Sequence, residues 1–489
     1  MLVARPERSQ CLRIVRAADF ARPDRGNRDI TRSYTVAMRL AWFTPWPPDP
    51  SGVAGRSAEL VTALAARGHG IDVFVDERRV AVTRGRAGAP APGDVRVESA
   101  HDAVWRIART QYDLIVYQAG NSRLHEFLWP YLFRYPGLVV FHDARLHHAR
   151  ARALLAHQAA DTYRAEFAWS HPGVSPDAAE LAVRGFDVAY YYQWPMVRAV
   201  AAASRMAAAH SRGAVAVLTE ACPGMPVEYI ALGEGIGPAV SIDERGETRA
   251  ALGCGGAEVL FGVFGALTAE KRVPQILTAF ASTVAQAPHA RLLLAGTPDP
   301  SLDVADLVAS LGIAHAVIAQ RGLADRDFDR AIAAVDVALC LRWPSTLETS
   351  GPWLRALSAG RPTVTLDLPH QADLPALDPR TWQPYRSGAD AAPVTVALDI
   401  LDEAHSLRLA LRRLSTDAPL RDRLGRAARD YWTREHTVDR MVADYERVMP
   451  LAAAARSPSV ALPAGLRPDP FAHARTLLAE TGSLSCELL

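Results

Sequence analysis

The stretch FGVFGALTAEKRVPQIL, residues 261–277, holds the one lysine of a chain whose other basic residues are all arginine. Its first residues are apolar and read as a strand ending at Gly265. Pro274 then opens a segment in which Ile276, Leu277, Phe280 and Val284 recur at helical spacing. Between them lie Lys271 and Arg272. Glycine permits a tight turn and leaves room for a ligand, while the helix N-terminus offers unpaired N–H groups and a positive dipole end. Two cations there read as an anion site, against the plainer reading of a solvated basic pair on a surface loop. Lysine suits phosphate as a compact charge on a flexible stem.

Outward from this unit the same alternation repeats. Strands are expected at Leu40–Thr44, Ile71–Val75, Leu114–Gln118 and Leu138–His142, with Val215–Leu218 as a further candidate. A second series runs through Leu260–Phe264, Leu292–Ala295, Val317–Ala319, Val337–Leu341 and Thr363–Leu366. Helical stripes lie between, such as Leu60, Val61, Leu64 and Ala65 before Gly68. Such alternation predicts an α/β fold with parallel sheets covered on both faces. Glycines cluster in LGEGIGPAV (232–240) and LGCGGAE (252–258), which places a junction there. The expected layout is a disordered arm or over-extended start at 1–37, Rossmann-like domains at 38–230 and 231–430, a C-terminal helix at 431–455 and a tail at 456–489. One helix is expected over Leu424–Val448. In two doubly wound domains the carboxyl ends of the strands would face each other across a cleft.

Composition narrows the field. With 489 residues the chain can bury two large cores. A net charge of +1 gives no field for nucleic acid. The five cysteines form no CxxC pair, which fits a reducing compartment and gives no disulfide framework. No apolar run reaches the ~18 residues of a spanning helix. Residues 1–37 carry eight arginines and no signal-peptide core.

Three further stretches carry chemistry. RWPSTLETSGPWLRALSAGRP (342–362) is a strand-end loop followed by a helix, with Thr349 or Ser350 as cap and Pro352 in the first turn. Glu348 projects beside that helix N-terminus, and a carboxylate next to a phosphate site suits hydroxyl groups such as those of a sugar. FTPWPPDPSGVAGRSAEL (43–60) is another strand–loop–helix, with Gly52 and Gly55 in the loop. In YQAGNSRLHEFLWPYLFRYPGLVVFHDARLHH (117–148), His142 follows a strand at its carboxyl end. His142, Asp143, His147 and His148 lack a Cys or Glu at ligand spacing, which argues against a metal centre. LAVRGFDVAYYYQWPMVRAVA (181–201) concentrates Tyr190, Tyr191, Tyr192 and Trp194 as an acceptor platform, a lipid-touching face or plain helix packing. GEGIGP (233–238) resembles a dinucleotide fingerprint, but Pro238 stands where the helix should begin. Neither a GxxxxGK[ST] loop nor a GxSxG elbow occurs.

Together these motifs resemble the family 4 retaining glycosyltransferases of the GT-B fold, over roughly residues 38–445. The resemblance rests on Gly265 with Lys271-Arg272, on Glu348-Thr349-Ser350-Gly351 before a helix ending Ala359-Gly360-Arg361-Pro362, on PPDPSGVAGRSAELVTALAARGH (47–69), and on VVFHD (139–143). It implies two facing Rossmann-like domains and metal-free sugar transfer from a nucleoside diphosphate, with retention at the anomeric carbon. It implies His142, Glu348 and Lys271 as catalytic residues. Gly52, Gly265, Lys271, Arg272, Glu348, Thr349, Ser350 and Gly351 would bind the donor, and Asn121 and His142 would face the acceptor. No cofactor is implied beyond the nucleotide sugar, and the acceptor would be a carbohydrate or a lipid-linked group. The protein would be cytoplasmic, with peripheral membrane association as an option. Two positions depart from the pattern: Ala266 stands where the family has Arg, and Arg355 where it has a glutamate that grips ribose. Arg272 would compensate for the first. A catalytically weakened homologue acting as a binding or assembly subunit, and a sugar-nucleotide epimerase, are the alternatives.

Overall fold

Val259–Phe264 is buried at every position, as a strand covered on both faces must be. In the computed structural model, which describes residues 37–49, 51–76, 93–186, 189–237, 239–385 and 391–466, it is the centre of the second of two sheets. The expected arm as far as residue 36, Pro238, the Tyr190 side chain and the tail beyond residue 466 lie outside the described residues.

The first sheet comprises β1 (Arg39–Phe43), β2 (Gly70–Val75), β3 (Val95–Ser99), β4 (Leu114–Ala119), β5 (Leu138–Phe141), β6 (Met206–Ala209) and β7 (Val227–Tyr229). Their order is β3-β2-β1-β4-β5-β6-β7, and every pairing is parallel. The second comprises β8 (Val259–Phe264), β9 (Ala290–Ala295), β10 (Val317–Gln320), β11 (Val337–Leu339), β12 (Thr363–Leu366), β13 (Ala376–Leu377), β14 (Pro384–Tyr385) and β15 (Thr395–Leu398). It runs β10-β9-β8-β11-β12-β15-β13-β14, parallel except for the terminal β13–β14 pair. The first sheet reverses its winding direction between β1 and β4 and the second between β8 and β11, and at the far edge of the second β15 turns back to lie between β12 and β13. Ligands of open α/β sheets bind in the crevice outside such switch points. Both motif-bearing loops, 265–272 and 340–350, leave the carboxyl ends of the strands at the second switch point.

Two expectations need correction. Val215–Leu218 is not a strand: it lies in helix Arg212–Ala221, capped by Ser211, whose side chain accepts from Ala214 N–H. The strand of that region is β6, MAAA, buried throughout. The helix expected over Leu424–Val448 is two helices, Ala418–Glu435 and Val438–Ala454, with Thr437 capping the second. The second crosses back to the first sheet. Met441, Tyr445 and Val448 pack into one apolar cluster with Leu40 and Trp42, and Gln118 donates to the Tyr445 hydroxyl at 3.1 Å. The same cluster takes in Trp353, Leu354 and Leu357 of helix Gly351–Ser358, so it joins the two lobes. Among the described residues, no helix is long and apolar enough to cross a membrane.

Candidate active site

Lys271 and Glu348 meet in one cleft, together with Ser350, Cys340, Arg342 and His370. Gly265 makes the lysine's position possible. Its φ of +79° is a left-handed conformation, and a Cβ there would sit 2.7 Å from Lys271 Nζ. The ammonium donates to Phe264 O at 2.5 Å. Burial, reinforced by the charge of Arg342, lowers the lysine pKa to about 7.

Glu348 is held from one side. Its Oε2 accepts from Ser345 Oγ at 2.9 Å, Thr346 N at 3.0 Å and Thr346 Oγ1 at 2.7 Å. Its Oε1 is buried, lies 2.6 Å from Arg342 Nε in an ion pair, and takes part in no hydrogen bond among the described residues. Burial opposes its ionisation, but Arg342 and the Thr346 hydrogen bond outweigh that and hold its pKa below the usual carboxylate value. Ser350 caps helix Gly351–Ser358 by accepting from Trp353 N–H. Thr349 donates to His210 O of the first lobe at 3.2 Å. Gly351 permits a close approach, since a Cβ on it would lie 2.6 Å from Glu234 Oε2.

The first lobe meets this wall through Asp143. Thr346 Oγ1 lies 2.6 Å from Asp143 Oδ1, and Asn121 N–H donates to Asp143 Oδ2 at 2.7 Å. Burial and the nearby Glu348 raise the Asp143 pKa to about 6. Arg145 reaches Ser345 O at 3.3 Å. Thr346 and Asp143 thus form a side-chain contact across the lobes at the cleft, beside Arg145–Ser345 and Thr349–His210, and the sequence assigns neither a role in it. Its local sequence offers Asp143 only a metal-ligand reading, and nothing local marks a pair 203 residues apart.

Other expected residues stand differently. His142 bonds Gln118 Oε1 through Nε2 at 2.8 Å and packs on His210 with ring centroids 4.7 Å apart; burial keeps its imidazole neutral. The Asn121 side chain accepts from Ala149 N–H at 2.9 Å, so only its backbone serves Asp143. Gly52 begins helix Gly52–Ala66 after the cap Ser51, with nothing within 4 Å of a Cβ added there. Tyr191 and Trp194 belong to a cluster with Tyr163 and Phe167, which is the plain packing reading of that aromatic run. His147 is turned onto the Tyr163 hydroxyl at 2.8 Å.

Arg272 is the clearest correction. Its backbone is left-handed at φ 60°, and its guanidinium takes both carboxylate oxygens of Glu403, with Nε at 2.8 Å from one of them. Helix Glu403–Thr416 thus holds its guanidinium, and Arg272 is not among the described residues lining the cleft. Arg355 is also paired, with Glu234 Oε1 at 2.9 Å and Asp329 Oδ1 at 3.1 Å, and Glu234 takes Arg56 of the first lobe as well. The second departure from the family pattern is therefore an ion network around a buried linker carboxylate.

No family model and no curated protein matches the sequence. Solved structures do match in three dimensions. Sucrose-phosphate synthase from Thermosynechococcus elongatus superposes with a TM-score of 0.58 at 15% identity, over 84% of this chain and 98% of that one. WaaG, a glycosyltransferase involved in lipopolysaccharide biosynthesis, gives 0.54 at 15% identity, over 84% and 99%. The catalytic domain of starch synthase IV from Arabidopsis thaliana, bound to ADP and acarbose, gives 0.57 at 11% identity, over 86% and 100%. Likeness at these identities establishes architecture: this chain has the α/β GT-B fold, two doubly wound lobes facing across a cleft.

Proposed function

We propose that the chain is a glycosyltransferase that moves a sugar from a nucleoside diphosphate to an acceptor hydroxyl. In this reading the anomeric configuration is retained and no metal takes part. The carrying observation is Glu348 Oε1, a buried carboxylate oxygen without a hydrogen-bond partner among the described residues, in the same cleft as the chain's single ammonium. Arg342 Nε compensates its charge but stands outside hydrogen-bond geometry, so the oxygen can still accept a hydrogen bond, and a sugar hydroxyl is a matching donor. Lys271 and the positive end of helix Gly351–Ser358 would bind the diphosphate and stabilise charge as it leaves. The acceptor oxygen bonds the anomeric carbon on the face from which the diphosphate departs, and the leaving phosphate oxygen takes the acceptor proton. That step needs no separate base, which suits His142, neutral and fixed to Gln118, as a positioning group. The ADP bound in the starch synthase IV structure belongs to the same ligand class.

The test is a thermal-shift screen with UDP-, GDP- and ADP-sugars, followed by turnover and assignment of the product anomer. Stabilisation by one donor, lost in Lys271→Ala, supports the reading. An inverted product refutes retention. The alternative of a non-catalytic subunit is favoured by Ala266 and by the diversion of Arg272 to Glu403; it predicts no response to any donor.

A further inference from the structure

We propose that Arg342 is the second cation of the diphosphate site, filling the role that Ala266 lacks and Arg272 has left; this rests on the nucleotide-sugar reading above. Among the described residues lining the cleft, Lys271 and Arg342 are the lysine and arginine side chains. Arg342 is 41% exposed at its side chain and sits 2.6 Å from Glu348 through Nε, without hydrogen-bond geometry. Its terminal nitrogens meet no acceptor among the described residues, so a planar fork of donors faces the cleft unused. Such a fork matches phosphate oxygens in pairs, which an ammonium cannot do.

The electrostatics agree. Arg342 and Lys271 repel each other in the empty cleft, and Arg342 contributes to the depressed basicity of the lysine. A diphosphate between them replaces that repulsion with two attractions. Arg342 would then touch the distal phosphate through its terminal nitrogens and Glu348 through Nε, so that one side chain sets the spacing between leaving group and sugar-binding carboxylate. Its neighbours explain why the role was hidden. The expected basic pair lies on the loop after β8, whereas Arg342 lies on the loop after β11, on the other side of the switch point.

The test is calorimetric titration of the full chain with UDP, GDP and ADP and with UMP, GMP and AMP, as wild type, Arg342→Gln and Arg342→Lys. Circular dichroism first establishes that the variants fold. The best-bound diphosphate is expected to weaken roughly 10- to 100-fold in Arg342→Gln, the range for loss of charge-assisted hydrogen bonds. Its monophosphate, which lacks the distal phosphate, should change less than about threefold, and Arg342→Lys should recover part of the loss. Unchanged diphosphate affinity in Arg342→Gln overturns the proposal while leaving the nucleotide-sugar reading intact. Equal loss of mono- and diphosphate also overturns it, because the residue would then shape the pocket rather than hold the distal phosphate. Failure of the wild type to bind any of the six nucleotides refutes the parent reading and this proposal with it.

Discussion

Raising the pH from 7 to 9 is expected to weaken nucleoside-diphosphate binding about fifty-fold. The cause is Lys271, whose pKa is lowered from 10.5 to about 7 by burial first and by the charge of Arg342 second, with Cys340 and Glu348 pulling the other way. Near pH 7 about half of the free molecules carry the ammonium, and near pH 9 roughly one in a hundred do. A bound diphosphate favours the charged form, so affinity follows the protonated fraction and falls by about 2.3 kcal/mol over that interval. The ligand's own second ionisation, near pH 6, is complete by then and adds no opposing slope. The effect on folding has the opposite sense. The folded-state pKa lies below the unfolded value, so between about pH 7 and 10.5 the unfolded chain holds more proton at this site. Lys271 therefore makes the ligand-free protein more stable as pH rises through that window. Calorimetry in two buffers of unlike ionisation heat counts the protons: about half a proton taken up at pH 7, approaching one at pH 8. Lys271→Arg should bind with no slope, since guanidinium stays charged throughout. A wild-type affinity that stays flat from pH 7 to 9, or a slope that survives in Lys271→Arg, refutes the reasoning.

Three other substitutions probe the frame. Gly265→Ala puts a methyl 2.7 Å from Lys271 Nζ on a left-handed backbone. It should cost about 1–2 kcal/mol in urea unfolding and displace the ammonium, lowering diphosphate affinity tenfold or more; unchanged affinity would contradict that placement. Glu234→Ala removes the carboxylate shared by Arg56 and Arg355, which keep Glu59 and Asp329, with an expected loss of about 1.5–3 kcal/mol. A cycle with Arg355→Ala that proves additive would show that the three charges do not act as a unit. Tyr445→Ala removes a buried ring packed on Trp42 at 5.5 Å and takes away the acceptor of Gln118 Nε2. It should destabilise by about 3–5 kcal/mol, and a loss below about 1 kcal/mol would mean that helix Val438–Ala454 is not part of the first lobe's core.

The central strands were legible because they are buried on both faces and read as unbroken apolar runs, as in Val259–Phe264 and Leu138–Phe141. Of the strands outside the expected set, β15 (TVAL) carries that signature too, while two others lack it. VRVES (β3) is a half-exposed edge strand, and MAAA (β6) carries no β-branched residue, so the more apolar AVAVL downstream drew the assignment. Gly265, Lys271 and Glu348 were legible as a site because their turn and capping chemistry is local. The partners that complete the picture are not local: Asp143 meets Thr346 across 203 positions, and Arg272 meets Glu403 across 131. A sequence gives the charge of Arg272 but not which carboxylate will claim it. In the sequence Arg355 likewise reads as a lost glutamate, and its pairing with Glu234, 121 positions away, is not legible there.

The chain passes between the lobes twice, once through residues 230–237 and again through 432–437, and the passages are bonded together. Glu234 N–H donates to His436 O at 3.1 Å, and His436 Nδ1 lies 3.0 Å from Leu232 O. A ribosome releases the first crossing some two hundred residues before the second. Until residue 454 has emerged, the cluster around Leu40 and Trp42 lacks the part of its cover that Met441, Tyr445 and Val448 supply, and completion of that core waits for nearly the last part of the described chain. Chaperone engagement and sensitivity to premature termination should concentrate in that interval of synthesis.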